Sequence, residues 1–407
     1  MGAARSRLTS VPAGRVFGVA GGTALATLSQ VVLLSTVARQ SSDSVWSALA
    51  IGQSIGQVAG IACAFGWNLS GPTRWAGSRP EARASLYVDS LVNRVLVTVV
   101  VLPISVAIGV FLTPPGQLRM VSLTIVATLT LGLSPNWFNV AEGRAGAMAL
   151  YNFLPRSAAS LVAAALIWFG SPPETYPIAL LIQSLGATSV FTAKVVRHAT
   201  IRIAPLLDTV GTQWQTAVTD FSGGVFSAAN VALVASQVTV AELASYSSAQ
   251  RVYQLGIIAL LVLSQSLQGW TVDPSGDRTQ RGRQALRAHA LLGLVGGLFI
   301  GLAGPTVSSL LFGDQLAAPH AVTVALAFSF LFIACNTGIG VHVLIPHGDQ
   351  RIVLRATLTA SAVGIPGVLT LAHFFGETGG AVGLALSQLG ALVVLLPQTR
   401  RILFVRS

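Results

Sequence analysis

Charged residues are scarce along this chain of 407 residues. Only 9% of the residues are Asp, Glu, Lys or Arg, whereas 53% are hydrophobic. A soluble domain carries about 25% charged residues, so the composition excludes an ordinary soluble enzyme or binding domain. The longest loops, at about 197–213 and 271–285, leave no room for a separate catalytic domain. The composition therefore predicts a membrane protein that crosses the bilayer many times.

Lysine and cysteine are nearly absent as well. The single lysine, Lys194, lies in the stretch TAKVV, so the chain has no Walker A loop and ATP hydrolysis is not expected. Cys63 and Cys335 lie inside apolar runs, which argues against a disulfide framework. The stretch GQSIG, Gly52 to Gly56, matches the G-x-S-x-G motif of a nucleophile elbow. That motif needs a strand-to-helix turn, whereas this stretch falls in the middle of a predicted helix. We expect no enzyme activity, no metal and no cofactor.

The chain contains instead a series of apolar runs. Each is close to the roughly 20 residues that a helix needs to span a bilayer. The sequence predicts an all-α fold with about twelve spanning helices, at about 14–38, 45–68, 86–112, 119–140, 148–170, 176–196, 214–236, 244–270, 286–312, 319–345, 351–375 and 379–398. Most of the tryptophans fall near the ends of these runs, which is typical of an interfacial belt.

The placement of the arginines indicates how the helices are oriented. The formal net charge is +11. If the N-terminus is cytoplasmic, 19 of the 24 Lys and Arg residues fall in cytoplasmic segments, two fall outside and three lie within helices. This bias obeys the positive-inside rule, so both termini are predicted to be cytoplasmic. The basic charge then faces anionic headgroups rather than nucleic acid, and we expect the protein in a bacterial cytoplasmic membrane.

A weak internal repeat divides the chain into halves. FGVAGGTALA in the first predicted helix resembles DFSGGVFSAAN in the seventh, and GQSIGQ in the second parallels AQRVYQ in the eighth. Chance similarity between apolar helices is the alternative explanation. If the repeat is real, residues 1–200 form an N-terminal six-helix lobe and residues 201–407 a C-terminal one. The two bundles would enclose a central cavity and be related by an axis along the membrane normal.

Polar side chains inside the predicted spans mark the candidate site. An arginine at the centre of a spanning helix is disfavoured by roughly 2.5–3.5 kcal/mol on insertion scales, and such residues usually face a bundle interior or a watery cavity. We therefore expect Arg94, Arg156 and Arg251 to line a substrate cavity. Four amides on the second and eighth predicted helices are expected beside them: Gln53, Gln57, Gln250 and Gln254. Asp220 and Asp89 are the acidic candidates for ion coupling.

Two structural explanations compete with a cavity for any single arginine. A long stem can let the guanidinium snorkel to the headgroups. Alternatively, the charge can pair inside the bundle, for example Arg94 with Asp220. For the set as a whole the cavity is favoured, and three guanidiniums with at most two carboxylates make it electropositive. Because the guanidinium fork matches phosphate oxygens, the sequence predicts an anionic cargo.

One long stretch, LSPNWFNVAEGRAGAMALYNFLPRSAASLVAAALI, resembles a known family of transporters. It is similar to the polysaccharide-transport branch, of the O-antigen flippase type, within the multidrug/oligosaccharidyl-lipid/polysaccharide (MOP) exporter superfamily. The matching positions are Pro135, Trp137, Phe138, Gly143, Arg144 and Arg156. Further likeness lies in SVWSALAIGQSIGQVAGIACAFGWNLSGPTR, ELASYSSAQRVYQLGIIALLVLSQSLQ, LLFGDQL and GGAVGLALSQL, so that it covers about residues 14–400.

The resemblance implies a two-lobed flippase with a fold like that of the MATE transporters. Its cargo would be an undecaprenyl-diphosphate-linked oligosaccharide, moved to the outer leaflet for cell-surface polysaccharide synthesis. Its expected partners are this lipid-linked glycan, membrane lipids and other membrane proteins of polysaccharide assembly. Two rival functions stay open: a cation-coupled multidrug exporter of the same superfamily, which would need acidic residues, and a membrane-embedded glycan polymerase or glycosyltransferase, which would need larger outer loops.

Overall fold

The structure, a computed structural model, describes residues 13–143, 145–197, 206–272 and 277–405. Within these ranges the regular elements are helical and no strand occurs. The α-helices are α1 (Ala13–Gln40), α2 (Asp43–Ala64), α3 (Trp67–Gly77), α4 (Arg83–Leu112), α5 (Leu118–Leu129), α6 (Asn136–Glu142), α7 (Ala145–Met148), α8 (Leu154–Trp168), α9 (Thr175–Val196), α10 (Leu206–Ala235), α11 (Val240–Val272), α12 (Arg278–Phe312), α13 (His320–Ile339) and α14 (Gln350–Arg400).

Eleven helical segments of the described chain are long and apolar enough to cross a membrane. They are Gly21–Gln40, Asp43–Gly77, Pro80–Leu112, Leu118–Glu142, Gly146–Trp168, Thr175–Val196, Val210–Ala235, Val240–Thr271, Arg278–Phe312, His320–His347 and Gln350–Leu403. Ten of them match the first ten predicted spans. The all-α, multi-pass membrane fold predicted from the sequence is confirmed.

The last segment contains a break that accounts for the twelfth predicted helix. Phe375 (φ −126°, ψ 15°) and Gly376 (φ 59°, ψ −146°) leave helical geometry inside α14. A positive φ is readily adopted only by glycine, so Gly376 allows the chain to turn sharply here. The two parts of α14 on either side correspond to the predicted spans 351–375 and 379–398.

Glycines on α12 bring that helix close to α13. A Cβ atom added at Gly293 would lie 2.8 Å from the Cβ of Ala334, and one added at Gly297 would lie 3.0 Å from the carbonyl oxygen of Ala327. Small residues at this spacing let helix backbones approach where larger side chains would clash. Gly293, Gly297 and Gly301 therefore form the face of α12 that packs closely against α13.

The tryptophans divide into two groups. Trp168, Trp214 and Trp270 are exposed, as side chains of an interfacial belt would be. Trp46, Trp67 and Trp137 are no more than 2% exposed. The predicted interfacial belt is therefore wrong for these three, which pack against other rings inside the protein: Trp46 against Phe312, and Trp67 against Trp137.

The described chain forms two compact units that do not follow a single cut in the sequence. The first unit consists of the chain up to Val37, Ala59–Ile104 and Val126–Asp220. The second unit consists of Ala38–Val58, Ser105–Ile125 and the chain from Phe221 onward. The predicted boundary between residues 200 and 201 lies outside the described residues, as do Arg5, Arg7, Arg202 and Arg406. The six-helix lobes and the central cavity stay predictions.

Candidate functional site

The first buried arginine, Arg94 on α4, is bound by the protein's own backbone. It is 1% exposed. Its Nη1 donates to the carbonyl oxygens of Ser134 at 2.9 Å and Gly132 at 3.2 Å, and its Nε donates to that of Ser90 at 3.1 Å. Nη2 lies 3.3 Å from the Ser90 hydroxyl oxygen. Arg94 therefore pairs with backbone carbonyls rather than with Asp220.

The break between α5 and α6 explains why those carbonyls need a donor. The chain tightens into a 3₁₀ turn at Thr130–Leu133, and Pro135, which follows, has no N–H group to donate. The carbonyls of Gly132 and Ser134 thus lie at an interrupted helix, where an unpaired buried acceptor is costly. The Arg94 guanidinium satisfies both. Its predicted contact with substrate has no support in this geometry, and we leave Arg94 out of the site proposed below.

The motif around Pro135 also forms an aromatic cluster. Trp137 and Phe138 on α6 are 2% and 4% exposed. They pack with Trp67, Tyr87 and Phe191, and Phe138 meets Tyr87 edge to face with ring centroids 5.5 Å apart. Gly143 ends α6 with a φ of 65°. Trp137, Phe138 and Gly143, which carry part of the family resemblance, therefore have structural roles. Arg144 lies outside the described residues.

The second arginine, Arg156 on α8, differs sharply from Arg94. It is half-buried, and it follows a π-helical turn at Ala149–Phe153 and Pro155 at the start of α8. Its Nη2 donates to Oε1 of Gln30 on α1 at 3.0 Å. Among the described residues this is its one side-chain hydrogen bond, and no carboxylate neutralises it. A guanidinium within a spanning segment that has no carboxylate partner and several unused N–H groups can bind an anion.

The third arginine, Arg251 on α11, contacts helix α2. It is half-buried and donates to Oε1 of Gln53, and its guanidinium carbon lies 6.0 Å from the centre of the Trp46 ring. Trp46 is anchored in turn, because its Nε1 donates to the carbonyl oxygen of Ala244 at 3.2 Å. The structure thus joins Arg251 with Gln53. Gln57, four residues further along α2, is exposed.

The remaining predicted amides, Gln250 and Gln254, line a cavity in the second unit. This cavity has a volume of about 300 Å³ and is bounded by parts of α10, α11, α13 and α14. Asn230 and Asn336 also line it. The last of these, Asn336, was not among the predicted polar positions, because a single asparagine in an apolar helix does not reveal which face it occupies.

The two acidic candidates occupy different environments within the first unit. Asp220 on α10 is half-buried, and its Oδ2 is buried without a hydrogen-bond partner in the described structure. Asp89 on α4 is half-buried and has an interaction partner. Asp220 is therefore the more available of the two for protonation or for binding a cation. Their role in coupling stays a prediction.

A buried pair of histidines was missed at the sequence level. The ring of His342 lies 4.9 Å from that of His289 on α12, although each histidine stands alone in its own apolar run of the sequence. Both side chains are at most 1% exposed. His342 lies in a π-helical turn, Gly340–Leu344, with Nδ1 3.2 Å from the Thr271 hydroxyl. No group of three metal-ligating side chains occurs among the described residues.

The three arginines fall in different parts of the protein. Arg94 and Arg156 belong to the first unit, and Arg251 belongs to the second. Arg94 and Arg156 are engaged separately, the first by α4 and the turn before α6, the second by α1. A single chamber shared by all three stays a prediction.

Comparison with known proteins identifies the fold. No protein-family model and no curated protein matches this chain. Solved structures do match along almost its whole length. An inward-facing multidrug resistance MATE transporter of the MOP superfamily has a TM-score of 0.69 at 18% identity, covering 93% of this chain and 94% of its own. The lipid II flippase MurJ, in an inward closed conformation, has a TM-score of 0.75 at 10% identity, covering 94% and 87%.

A third match comes from Pyrococcus furiosus. It is a MOP superfamily transporter whose binding pocket is described as having reversed polarity, with a TM-score of 0.53 at 15% identity, covering 97% of this chain and 95% of that one. The chain therefore has the fold shared by MATE transporters and MurJ. This confirms the MATE-like fold that the resemblance implied, while the O-antigen flippase branch stays a prediction.

Proposed function

We propose that this protein is a membrane flippase that moves an undecaprenyl-diphosphate-linked oligosaccharide from the cytoplasmic to the outer leaflet. The observation that carries the proposal is Arg156, a half-buried guanidinium inside a spanning segment with no carboxylate partner among the described residues. The similarity to MurJ, a lipid II flippase, supports a lipid-linked glycan as cargo. The expected partners are that substrate and the surrounding lipids, in a bacterial cytoplasmic membrane.

The chemistry of Arg156 suits a diphosphate better than a neutral or cationic cargo. A guanidinium can donate two parallel hydrogen bonds to phosphate oxygens, and such charge-assisted bonds are about twice as strong as neutral ones. Gln30 holds one end of the Arg156 side chain and leaves its other N–H groups for a ligand. Within the second unit, Arg251 and Gln53 form another polar pair, which stays a predicted substrate contact.

A leaflet-exchange assay tests the proposal. The protein would be reconstituted into vesicles with a fluorescent diphosphate-linked oligosaccharide lipid, and label reaching the opposite leaflet would be followed by quenching. Arg156→Ala should lower the exchange rate roughly tenfold to a hundredfold, since a hydrogen bond to a charged group contributes about 1.5–3 kcal/mol. Arg156→Lys keeps the positive charge but loses the planar guanidinium fork. Its exchange rate should therefore lie between that of the unaltered protein and that of Arg156→Ala.

The matched control is Arg79→Ala, which removes an exposed arginine just before α4, outside the spanning segments. It should leave exchange unchanged. If Arg156→Ala flips the lipid as fast as the unaltered protein, Arg156 has no role in binding the cargo, and the proposal loses its main support.

A cation-coupled multidrug exporter is the second candidate, and Asp220 favours it. A buried carboxylate oxygen without a partner is the kind of group that binds a proton or a cationic drug. The similarity to a multidrug MATE transporter is consistent with this function. Efflux of a lipophilic cation by the reconstituted protein, abolished by Asp220→Asn, would establish it. The same variant with undiminished efflux would exclude Asp220 as the coupling group.

A further inference from the structure

The cavity in the second unit combines a mainly apolar lining with several uncharged polar side chains. Its volume of about 300 Å³ is at the lower end of the range for ligand sites in proteins, roughly 300–1,000 Å³. The polar side chains on its wall are amides and hydroxyls, and no Asp, Glu, Lys, Arg or His is among the described residues that line it. Phe226 and Tyr253 supply aromatic surface.

Three amides on this wall have an oxygen with no hydrogen-bond partner in the described structure. They are Asn230 Oδ1, Gln250 Oε1 and Asn336 Oδ1. The side chains of Asn230 and Gln250 are 1% and 5% exposed. Proteins rarely leave buried polar atoms unpaired, and several in one cavity point to a bound molecule that supplies the missing partners.

The orientation of Asn336 is fixed by its neighbour. Its Nδ2 donates to the carbonyl oxygen of Gln388 at 2.9 Å and to the side-chain Oε1 of Gln388 at 3.2 Å, so the amide oxygen must be the atom left unpaired. Asn230 is held in a similar way, because its Nδ2 lies 2.6 Å from the Tyr246 hydroxyl oxygen. Both unpaired oxygens thus belong to side chains whose amide nitrogens are already hydrogen-bonded.

The chemistry of the wall selects the ligand. Unpaired amide oxygens need a donor, and Gln250, which makes no side-chain hydrogen bond in the described part of the chain, offers an acceptor and a donor together. A hydroxyl group can donate and accept at once, so it suits both kinds of partner. Metal cations in proteins are usually held by carboxylates as well as carbonyl oxygens, and this wall has no carboxylate among its described residues.

We propose that this cavity, lined by Asn230, Gln250 and Asn336, binds one uncharged sugar residue of the transported glycan. The inference rests on the proposed function for its source of sugar, and it adds a recognition site separate from the arginines. The sugar's hydroxyls pair with the three amide oxygens, and its apolar ring face packs against the aromatic surface of Phe226 or Tyr253. Such a site makes transport depend on the glycan as well as on the diphosphate.

The test is a binding measurement on the whole protein in lipid nanodiscs. The probes are the methyl glycosides of glucose and N-acetylglucosamine, followed by saturation-transfer NMR, with methoxycyclohexane as a ring of similar size without hydroxyls. We expect at least one glycoside to bind and methoxycyclohexane not to bind. Gln250→Met and Asn336→Leu should each weaken glycoside binding about tenfold, the effect of losing a buried hydrogen bond to the ligand.

Two further variants guard against misfolding and non-specific effects. Gln183→Met, on α9 in the first unit, removes another amide with a buried unpaired oxygen and should leave binding unchanged. Ala360→Leu adds bulk to the cavity wall without removing an amide, and it should also weaken binding.

Three results would overturn the inference. The first is a failure of both glycosides to bind the unaltered protein. The second is a loss of glycoside binding in Gln183→Met as large as that in Gln250→Met or Asn336→Leu. The third is displacement of the glycoside by Na⁺ or K⁺ at concentrations where choline has no effect. The outcome is independent of the leaflet-exchange assay. Glycoside binding without lipid exchange would refute the proposed flippase and retain the sugar site. Lipid exchange without glycoside binding would retain the flippase and refute the sugar site.

Discussion

At the scale of single residues, the three intramembrane arginines look alike in the sequence and differ in their surroundings. Arg94 donates to carbonyl groups 38 and 40 residues away, whereas Arg156 keeps most of its donors available. Backbone carbonyls occur at every residue and carry no signature in the sequence, so hydropathy located Arg94 inside a helix but could not reveal its partners. Pro135 was a usable signal, since a proline within a predicted span leaves backbone groups unpaired.

The different surroundings lead to a prediction for Arg94. Arg94→Met should lower the thermal unfolding midpoint strongly, because it leaves the buried carbonyls of Gly132 and Ser134 without donors, and each such group costs about 1–3 kcal/mol. The midpoint would be measured by intrinsic fluorescence in detergent, beside Arg156→Met. A variant of Arg94 that keeps its midpoint but loses transport would return Arg94 to the substrate site.

Gln250 leads to a prediction of opposite sign. It is buried without a hydrogen bond from its side chain in the described structure, so replacing it by an apolar residue of similar length removes a destabilising group. We expect Gln250→Met to raise the unfolding midpoint by a few degrees while it weakens glycoside binding, a trade of function against stability. A lowered midpoint would indicate that Gln250 serves the fold.

At the scale of helices, backbone approach between α12 and α13 depends on glycine. A Cβ at Gly293 would lie 2.8 Å from the Ala334 Cβ, closer than packed side chains allow. Gly293→Ala should therefore separate the helices locally and lower the unfolding midpoint. The control is Gly186→Ala on α9, where an added Cβ would meet no atom within 4 Å. This variant should be neutral or slightly stabilising, since alanine favours helix. Equal effects of the two substitutions would contradict the packing argument.

The helices themselves were predictable because length and hydropathy decide them. An apolar run of about 20 residues has few alternatives to a spanning helix in lipid. The contacts between helices were less accessible. The spacing of Gly293 and Gly297 indicates a close-packed helix face but does not identify the helix that packs against it. Nothing in the sequence indicates that His289 and His342 are neighbours, because each histidine stands alone in its own apolar run.

At the scale of the whole molecule, the proposed flippase needs an energy source other than ATP. The single lysine of the chain lies outside any Walker A motif. An anion that leaves the cytoplasm of an inside-negative cell moves down the electrical gradient, which contributes about 2.3 kcal/mol per charge per 100 mV. A diphosphate with about two negative charges therefore gains on the order of 4–5 kcal/mol per 100 mV, less any part that is neutralised by arginines moving with it.

This reasoning predicts that transport responds to membrane potential. In proteoliposomes with a potassium gradient and valinomycin, an inside-negative potential should drive the diphosphate lipid from the inner to the outer leaflet, and reversing the gradient should reverse the net direction. A lipid-linked glycan with one phosphate should respond about half as strongly, because the driving force scales with charge. Exchange that is indifferent to the size and sign of the potential would mean that the cargo crosses with its charge fully compensated. Transport would then have to be coupled to an ion that binds another group. Asp220, with its buried unpaired carboxylate oxygen, would be the first residue to replace in testing this.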